Sequence, residues 1–264
     1  MFNSITTYML MSGYRKYNLN FLPRQAKKTS QKTYLITGAS SDIGAAIARA
    51  LARPNTTLIL TGRNKAKLKQ LEIELQQKQT VIHVCPADLR KEKDITQLIK
   101  KVEQITDSLD GIIHTAGIYH YAKRAYDDIS FADFSSEEII ANYMVTTVSL
   151  ALLVNALLTL MKKNSSIIAI TGTFENGAKG WLPYFAAKKA LEQLIIGLTE
   201  ELADKQIQAF ALSPSDTLTE SYKTYFPQYA RVDECLKPED IAIRVNQLLL
   251  QTSYINGSII ELYK

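Results

Sequence analysis

Tyr184 and Lys188 stand four residues apart in the stretch YFAAK. In a helix that spacing puts both side chains on one face. An unperturbed tyrosine has a pKa of about 10 and is a poor base at neutral pH. A cation held beside it favours the phenolate, so Tyr184 could exchange a proton with an alcohol or carbonyl oxygen. On spacing alone such a pair is usually an exposed helix face, and the choice between the two readings rests on what else the chain carries.

A second chemical constellation is TGASSDIG, residues 37 to 44. Gly38 and Gly44 bracket a turn that follows an apolar run and opens a helix near Ile43. Backbone N–H groups at such a helix start, with the positive end of its dipole, make an anion site suited to a pyrophosphate. Asp42 stands where a third glycine is expected. Its carboxylate is compatible with the site if it turns to solvent or caps the helix, where the dipole favours it. Further on, TGRN puts Arg63 after the second apolar run. A dinucleotide fold commonly has an acid there for the ribose 2′-hydroxyl, whereas an arginine suits a 2′-phosphate, so NADP is favoured and NAD is the alternative. In ADLR, Asp88 could accept from an adenine amino group, and HTAG, residues 114 to 117, brings small side chains towards the middle of such a ligand.

These groups need a scaffold that gathers them. Seven short runs rich in β-branched residues start at Thr33, Thr57, Thr80, Gly111, Ser166, Ile207 and Ser258. They are almost continuously apolar, as strands covered on both faces must be. Amphipathic stretches at 43–53, 64–77, 91–107, 135–163, 181–203 and 238–251 alternate with them. The expected fold is α/β, a doubly wound, Rossmann-like parallel sheet of seven strands with helices on both faces. Residues 32–264 read as one such domain, whose ligands would bind beyond the carboxyl ends of the strands.

The ordered motifs resemble those of the short-chain dehydrogenase/reductase family, in its short single-domain branch, from about residue 32 to 262. TGASSDIG resembles the family's TGxxxGxG, ADLR its adenine-contacting segment, HTAG its NNAG, ANYMVTT the helix with the catalytic Asn, and YFAAK its YxxxK. SPSDTLT resembles PGxxxT, and YINGSII the final strand. The resemblance implies an NADP-dependent oxidoreductase that reversibly reduces a ketone or aldehyde, with Tyr184 as proton donor, Lys188 on the nicotinamide ribose and Asn142 in a water-mediated proton relay. It implies cofactor contacts from Gly38, Ser40, Ser41, Ile43, Gly44, Arg63, Asp88, Leu89, Ala116, Gly117, Lys188, Pro214, Thr217 and Thr219.

The family's catalytic serine has no serine counterpart here. Counting thirteen residues back from Tyr184 reaches Thr171, while aligning the strand ends reaches Gly172 with Thr173 next. Thr171 is the favoured candidate and Thr173 the alternative, since either hydroxyl can donate to a substrate oxygen. His114 and Thr115 replace the paired asparagines, and His114 reads as a hydrogen-bonded structural residue. These departures keep open a second reading, a degenerate member that binds dinucleotide as a sensor or scaffold without turnover. The aromatic run of Tyr222, Tyr225, Phe226 and Tyr229 suits a flap over an apolar substrate, or simply packs a short helix; Trp181, Tyr119 and Tyr121 could line the same cleft.

Charge points away from nucleic acid. Six basic residues and no acidic one precede Asp42, so the net charge of +5 becomes −1 beyond Lys32. Residues 1–31 form a basic leader, disordered or a targeting segment, and organellar import is the alternative to a cytoplasmic location. Cys85 and Cys235 suggest neither a disulfide framework nor a metal, and the three histidines lack ligand spacing. No membrane segment is expected, because the most apolar stretch, residues 150–161, is too short to span a bilayer. A small-molecule partner is expected, and the resemblance adds a homotetramer or homodimer built on the helices at 135–163 and 181–203.

Overall fold

The structure is a computed structural model that describes residues 14–15, 31–121, 124–126, 128–174, 179–250 and 255–264; most of the basic leader lies outside them. Seven strands form a parallel sheet: β1 Lys32–Thr37, β2 Thr56–Leu60, β3 Val81–Val84, β4 Leu109–His114, β5 Met161–Ile170, β6 Gln208–Pro214 and β7 Ile259–Leu262. Their order across the sheet is β7-β6-β5-β4-β1-β2-β3, and Tyr14–Arg15 adds a two-residue parallel edge beside β7. The order reverses between β1 and β4, which pair in register from Tyr34 with Gly111 to Thr37 with His114. A crevice must open above that pair, because the chains leaving their carboxyl ends diverge to opposite faces.

Strand residues such as Leu35, Ile36, Ile59, Leu60, Ile112 and Ile113 are completely buried, which is why the runs are apolar without alternation. Each face carries its own core. On one side α1 Asp42–Leu51, α2 Lys65–Gln76 and α8 Pro238–Leu250 bury Ile47, Leu51, Leu68, Leu75, Ile241 and Val245. On the other, α3 Glu92–Ile105, α5 Ser149–Leu157 and α6 Leu182–Glu201 bury Ile95, Leu98, Leu153, Leu157, Leu191 and Ile195. Truncating any one of these to alanine would cost about 2–5 kcal/mol.

The helical stretch expected over 135–163 is not one α-helix. It runs as α4 Ser136–Tyr143, a π-helical turn Met144–Val148 in which the Ser149 N–H reaches back five residues to the Met144 carbonyl, then α5, then a 3-10 turn Leu158–Leu160. Residues from Met161 onward already belong to β5, paired with Leu109 across a register shift. A Ser135–Glu138 capping box starts α4. By length and composition Ser136–Leu160 could cross a membrane. Here it buries Asn142, Leu150, Leu153, Val154 and Leu157 within the domain.

Candidate active site

The turn after β1 is held open by glycine. Gly38 adopts φ +68°, and a side chain there would place its Cβ 2.5 Å from the Thr115 Oγ1. A Cβ on Gly44 would meet the Gly38 carbonyl oxygen at 2.3 Å, so only glycine lets α1 start this close to the turn. Ser41 caps α1: its Oγ accepts from the Gly44 N–H at 3.3 Å and donates to the Gly38 carbonyl at 2.7 Å. The first N–H groups of α1, at Asp42 and Ile43, have no intrahelical acceptor. Ser40, Ser41 and Ile43 line the cleft there, so the turn fits a pyrophosphate on observations of this chain alone. The Asp42 side chain neither caps α1 nor lies free in solvent. Its Oδ2 accepts the backbone N–H of Glu220 at 2.5 Å, across the cleft mouth.

The cleft measures about 1260 Å³ and runs from Arg63, Asn64, Lys67 and Arg90 at one end to Thr171, Trp181 and Tyr184 at the other. Arg63 is exposed in it, at the entrance to α2, where Asn64 caps the helix by accepting the Lys67 N–H at 3.0 Å. Asp88 is engaged elsewhere: its carboxylate forms a two-pronged pair with the Arg90 guanidinium at 2.6 to 3.1 Å, which holds it below the usual carboxylate range. Of this segment Arg90 lines the cleft, and Asp88 and Leu89 do not. Lys67 and Arg90 escaped the sequence reading; Arg63 and Lys67 at i,i+4 was the available signal.

At the other end, α6 carries Tyr184 and Lys188 on one face, both at the cleft wall. The Lys188 side chain threads inward, and its Nζ donates to the Ile170 carbonyl at the end of β5 at 2.7 Å. Gly117 makes room, since a Cβ there would lie 3.1 Å from that Nζ; neighbouring Ala116 is buried behind it. Burial lowers the lysine pKa to about 8, against an opposing pull from the Glu192 carboxylate. Tyr184 is half-buried, with Lys188 Nζ 5.6 Å from its ring centre. Its pKa is raised by burial first, then by Tyr119 and Asp216. The phenol is thus held protonated, ready to give a proton rather than take one. The phenolate-favouring effect expected of Lys188 does not prevail, because burial of the phenol outweighs it and Tyr119 and Asp216 act in the same direction as burial.

Neither threonine hydroxyl is directed to the tyrosine by a hydrogen bond of its own. Thr171 is buried, its Oγ1 donating to the Leu212 carbonyl at 3.4 Å, and Thr173 donates to the Pro214 carbonyl at 3.2 Å. Both still line the cleft, together with Gly117, Pro214, Thr217 and Thr219. Asn142 lies deeper, completely buried, with Nδ2 donating to Tyr126 Oη at 3.2 Å and to the Glu138 carbonyl at 2.8 Å. Its Oδ1, and the Thr146 Oγ1 one turn on, are buried without a hydrogen-bond partner. His114 is also fully buried. Its Nε2 lies 3.1 Å from the Thr146 carbonyl, which can only accept, so Nε2 carries the proton and Nδ1 accepts from Thr37 Oγ1 at 2.9 Å. Burial and the nearby Lys188 push its pKa down to about 3, so it is a neutral bridge between β1, β4 and the π turn.

A short helix α7, Glu220–Tyr225, covers the tyrosine end. Tyr222 and Tyr229 face the cleft, whereas Phe226 is fully buried beneath and stacks on Trp181 at 4.8 Å; Tyr225 stacks on His120 at 4.2 Å. The aromatic run thus divides between the cleft wall and the packing that holds the short helix. Tyr119 lines the cleft 6.1 Å, centre to centre, from Tyr184; the side chain of Tyr121 lies outside the described residues. Among the described residues no cluster of three metal-ligating side chains occurs, and Cys85 and Cys235 are separate free thiols.

A short chain dehydrogenase family model matches residues 32–230. An uncharacterized oxidoreductase of Staphylococcus aureus (strain MRSA252) is 31% identical over 231 residues, covering 86% of this chain and 94% of that protein. A short chain dehydrogenase from Burkholderia cenocepacia J2315 in complex with NADP superposes with a TM-score of 0.78 at 20% identity, covering 89% of this chain and 97% of that one. An alcohol dehydrogenase from Thermococcus sibiricus, complexed with 5-hydroxy-NADP, gives 0.75 at 26% identity, covering 88% and 96%. The matched span takes in the glycine turn, the Tyr184–Lys188 helix and the flap, and the chain belongs to the short-chain dehydrogenase/reductase family, an NAD(P)-dependent oxidoreductase on a Rossmann-like sheet.

Proposed function

We propose that this protein is an NADP-dependent reductase of uncharged ketones or aldehydes, reversible as an alcohol dehydrogenase. The observation that carries the reading is one continuous cleft with the glycine turn and Arg63 at one end and the Tyr184–Lys188 pair at the other. When bound, the nicotinamide supplies or accepts the hydride. The protonated Tyr184 would give its proton to the carbonyl oxygen, and Lys188, fixed on the Ile170 carbonyl, would hold the cofactor's ribose and return a proton to Tyr184 from solvent. Thr171, with Thr173 as alternative, polarises the carbonyl after exchanging its bond to β6, and Asn142 anchors the relay behind Lys188. Ser40, Ser41, Ile43 and Gly117 line the path of the dinucleotide, with Pro214, Thr217 and Thr219 facing them. Arg63, Lys67 and Arg90 at the far end favour a 2′-phosphate over a bare ribose, as do the NADP ligands of the structural relatives.

The substrate end presents Tyr119, Phe174, Trp181, Tyr222 and Tyr229, with Asp216 as its acid and Lys179 exposed at its rim and paired with Asp128 at 3.6 Å, which suits a neutral apolar carbonyl better than a carboxylate or phosphate ester. Exposed Ile140, Tyr143 and Val148 on the α4–α5 run, and Leu182 on α6, suit self-association as a dimer or tetramer. Two free buried thiols accord with a reducing, cytoplasmic location. The test is NADPH oxidation across ketones and aldehydes, with NADH in parallel. Tyr184→Phe should lose at least about 100-fold in turnover, within the range for general acid catalysis, while NADPH still binds; undiminished turnover refutes the assignment. The sensor reading is favoured by one observation, the engagement of both threonine hydroxyls with β6 carbonyls. NADPH binding with no oxidation across the whole carbonyl panel would decide for it.

A further inference from the structure

We propose that Asp42 is a positioning residue that fastens the flap helix α7 across the cofactor groove, and so sets how fast the dinucleotide enters and leaves. The proposal rests on the dinucleotide reading of the cleft. Asp42 and Glu220 are the first residues of α1 and α7, 178 positions apart, and the Asp42 carboxylate accepts the Glu220 backbone N–H at 2.5 Å. Such a carboxylate bond is charge-assisted and short.

A helix of six residues has few bonds of its own and depends on outside acceptors for its first N–H groups. Thr219 Oγ1 takes the Tyr222 N–H at 3.0 Å, and Asp42 takes that of Glu220. The other end of α7 is anchored by buried Phe226 on Trp181. The flap is therefore tied at both ends, once to the aromatic floor and once to the phosphate turn itself. Ser41, Asp42 and Ile43 form one lip of the cleft, and Thr219, Glu220 and Tyr222 face them, so the bond crosses the mouth. A glycine at position 42, as in the family's motif, has no atom with which to make it. The same bond turns the Asp42 charge towards α7, whose N-terminal dipole favours it. A carboxylate in a phosphate turn then acts as a tie without repelling the ligand.

Trp181 is the chain's one tryptophan and lines this cleft, so its emission and its energy transfer to NADPH report occupancy and flap position. Three variants separate the possibilities. Asp42→Ala removes the acceptor, Asp42→Asn keeps an acceptor without the charge, and Glu220→Pro removes the donor. Proline is favoured at the first helical position, and Thr219 at φ −89°, ψ 160° already has the backbone that precedes proline. In stopped-flow displacement by excess NADP, NADPH release should quicken about tenfold in Asp42→Ala and in Glu220→Pro, with no further gain in the double variant. Asp42→Asn should stay within threefold of wild type. The NADPH Kd should move less than tenfold throughout, because entry quickens as well. In cofactor-free protein, amide exchange over residues 221–225 should rise in the same two variants.

Release and exchange within twofold of wild type in both variants, or effects that add in the double variant, would overturn the proposal. So would a several-hundredfold gain in affinity shared by Asp42→Ala and Asp42→Asn, which would mark Asp42 as a repelling charge. If the wild-type protein binds neither NADPH nor NADH, the dinucleotide reading falls and the gating role with it. If binding is intact and exchange unchanged, the tie alone is refuted.

Discussion

Replacing His114 by Asn should flatten the acid limb of the protein's stability curve. In the fold His114 is fully buried and neutral, with Nε2 donating to the Thr146 carbonyl and Nδ1 accepting from Thr37. Its folded pKa of about 3 lies below the ordinary value of 6.5. Between those two values the unfolded chain takes up a proton that the fold refuses, so stability rises with pH through this window and is lost as pH falls below 6.5. Integrated from pH 7 to 4.5, the loss from this one group is about 2–3 kcal/mol. For a chain of this size that is a fall in Tm of about 5–10 °C. Urea denaturation of wild type and His114→Asn at pH 7, 5.5 and 4.5, at one protein concentration, isolates the term, because carboxylates common to both cancel in the comparison. The variant is expected to start less stable at pH 7, having lost a bridge between β1, β4 and the π turn. It should then lose about 2–3 kcal/mol less than wild type on acidification. Parallel curves would refute the reasoning, for His114 would then titrate alike in fold and coil.

Arg63→Ala should lower the preference for NADPH over NADH by about ten- to a hundredfold, the worth of one or two charge-assisted hydrogen bonds, read from kcat/KM with each cofactor. An unchanged ratio would move the 2′-phosphate contact to Lys67 and Arg90. Thr171→Val and Thr173→Val should differ: the variant that removes the polarising donor loses about a hundredfold or more in kcat, and equal small effects from both would favour the sensor reading. Gly44→Ala should weaken folding and NADPH binding together, since its Cβ would strike the Gly38 carbonyl at 2.3 Å; a folded variant with intact binding would contradict the close start of α1.

The sheet was legible because its strands are buried on both faces and so are written as unbroken β-branched runs, with Gly38 and Gly44 marking a turn that needs glycine. Tyr184 and Lys188 were legible because an i,i+4 pair survives any helix placement. The partner of Asp42 was not, since a backbone N–H 178 residues away leaves no trace in side-chain identity. Local signals also failed at Met161, where polar Lys162, Lys163 and Asn164 suited a helix end, yet pairing with Leu109 draws them into β5. Asp88 was read by its position after β3, while a neighbour two residues on, Arg90, claims its carboxylate.

The π turn at Met144–Val148 stores one residue more than an α-helical turn would hold. Glu138, Asn142, Thr146, Leu150 and Val154 are all buried at intervals of four. In an unbroken α-helix, at about 100° per residue, each such interval turns the stripe by about 40° and the whole series by about 160°. The widened turn takes up part of that rotation, so the stripe still faces inward along α5. Deleting a single residue between 144 and 148 would turn the stretch into regular α-helix and leave α5 nearly in its present phase, because the extra residue is what the widened turn absorbs. Leu150, Leu153 and Leu157 would still face the core, and the loss would fall on the turn itself, whose Thr146 carbonyl receives the His114 Nε2.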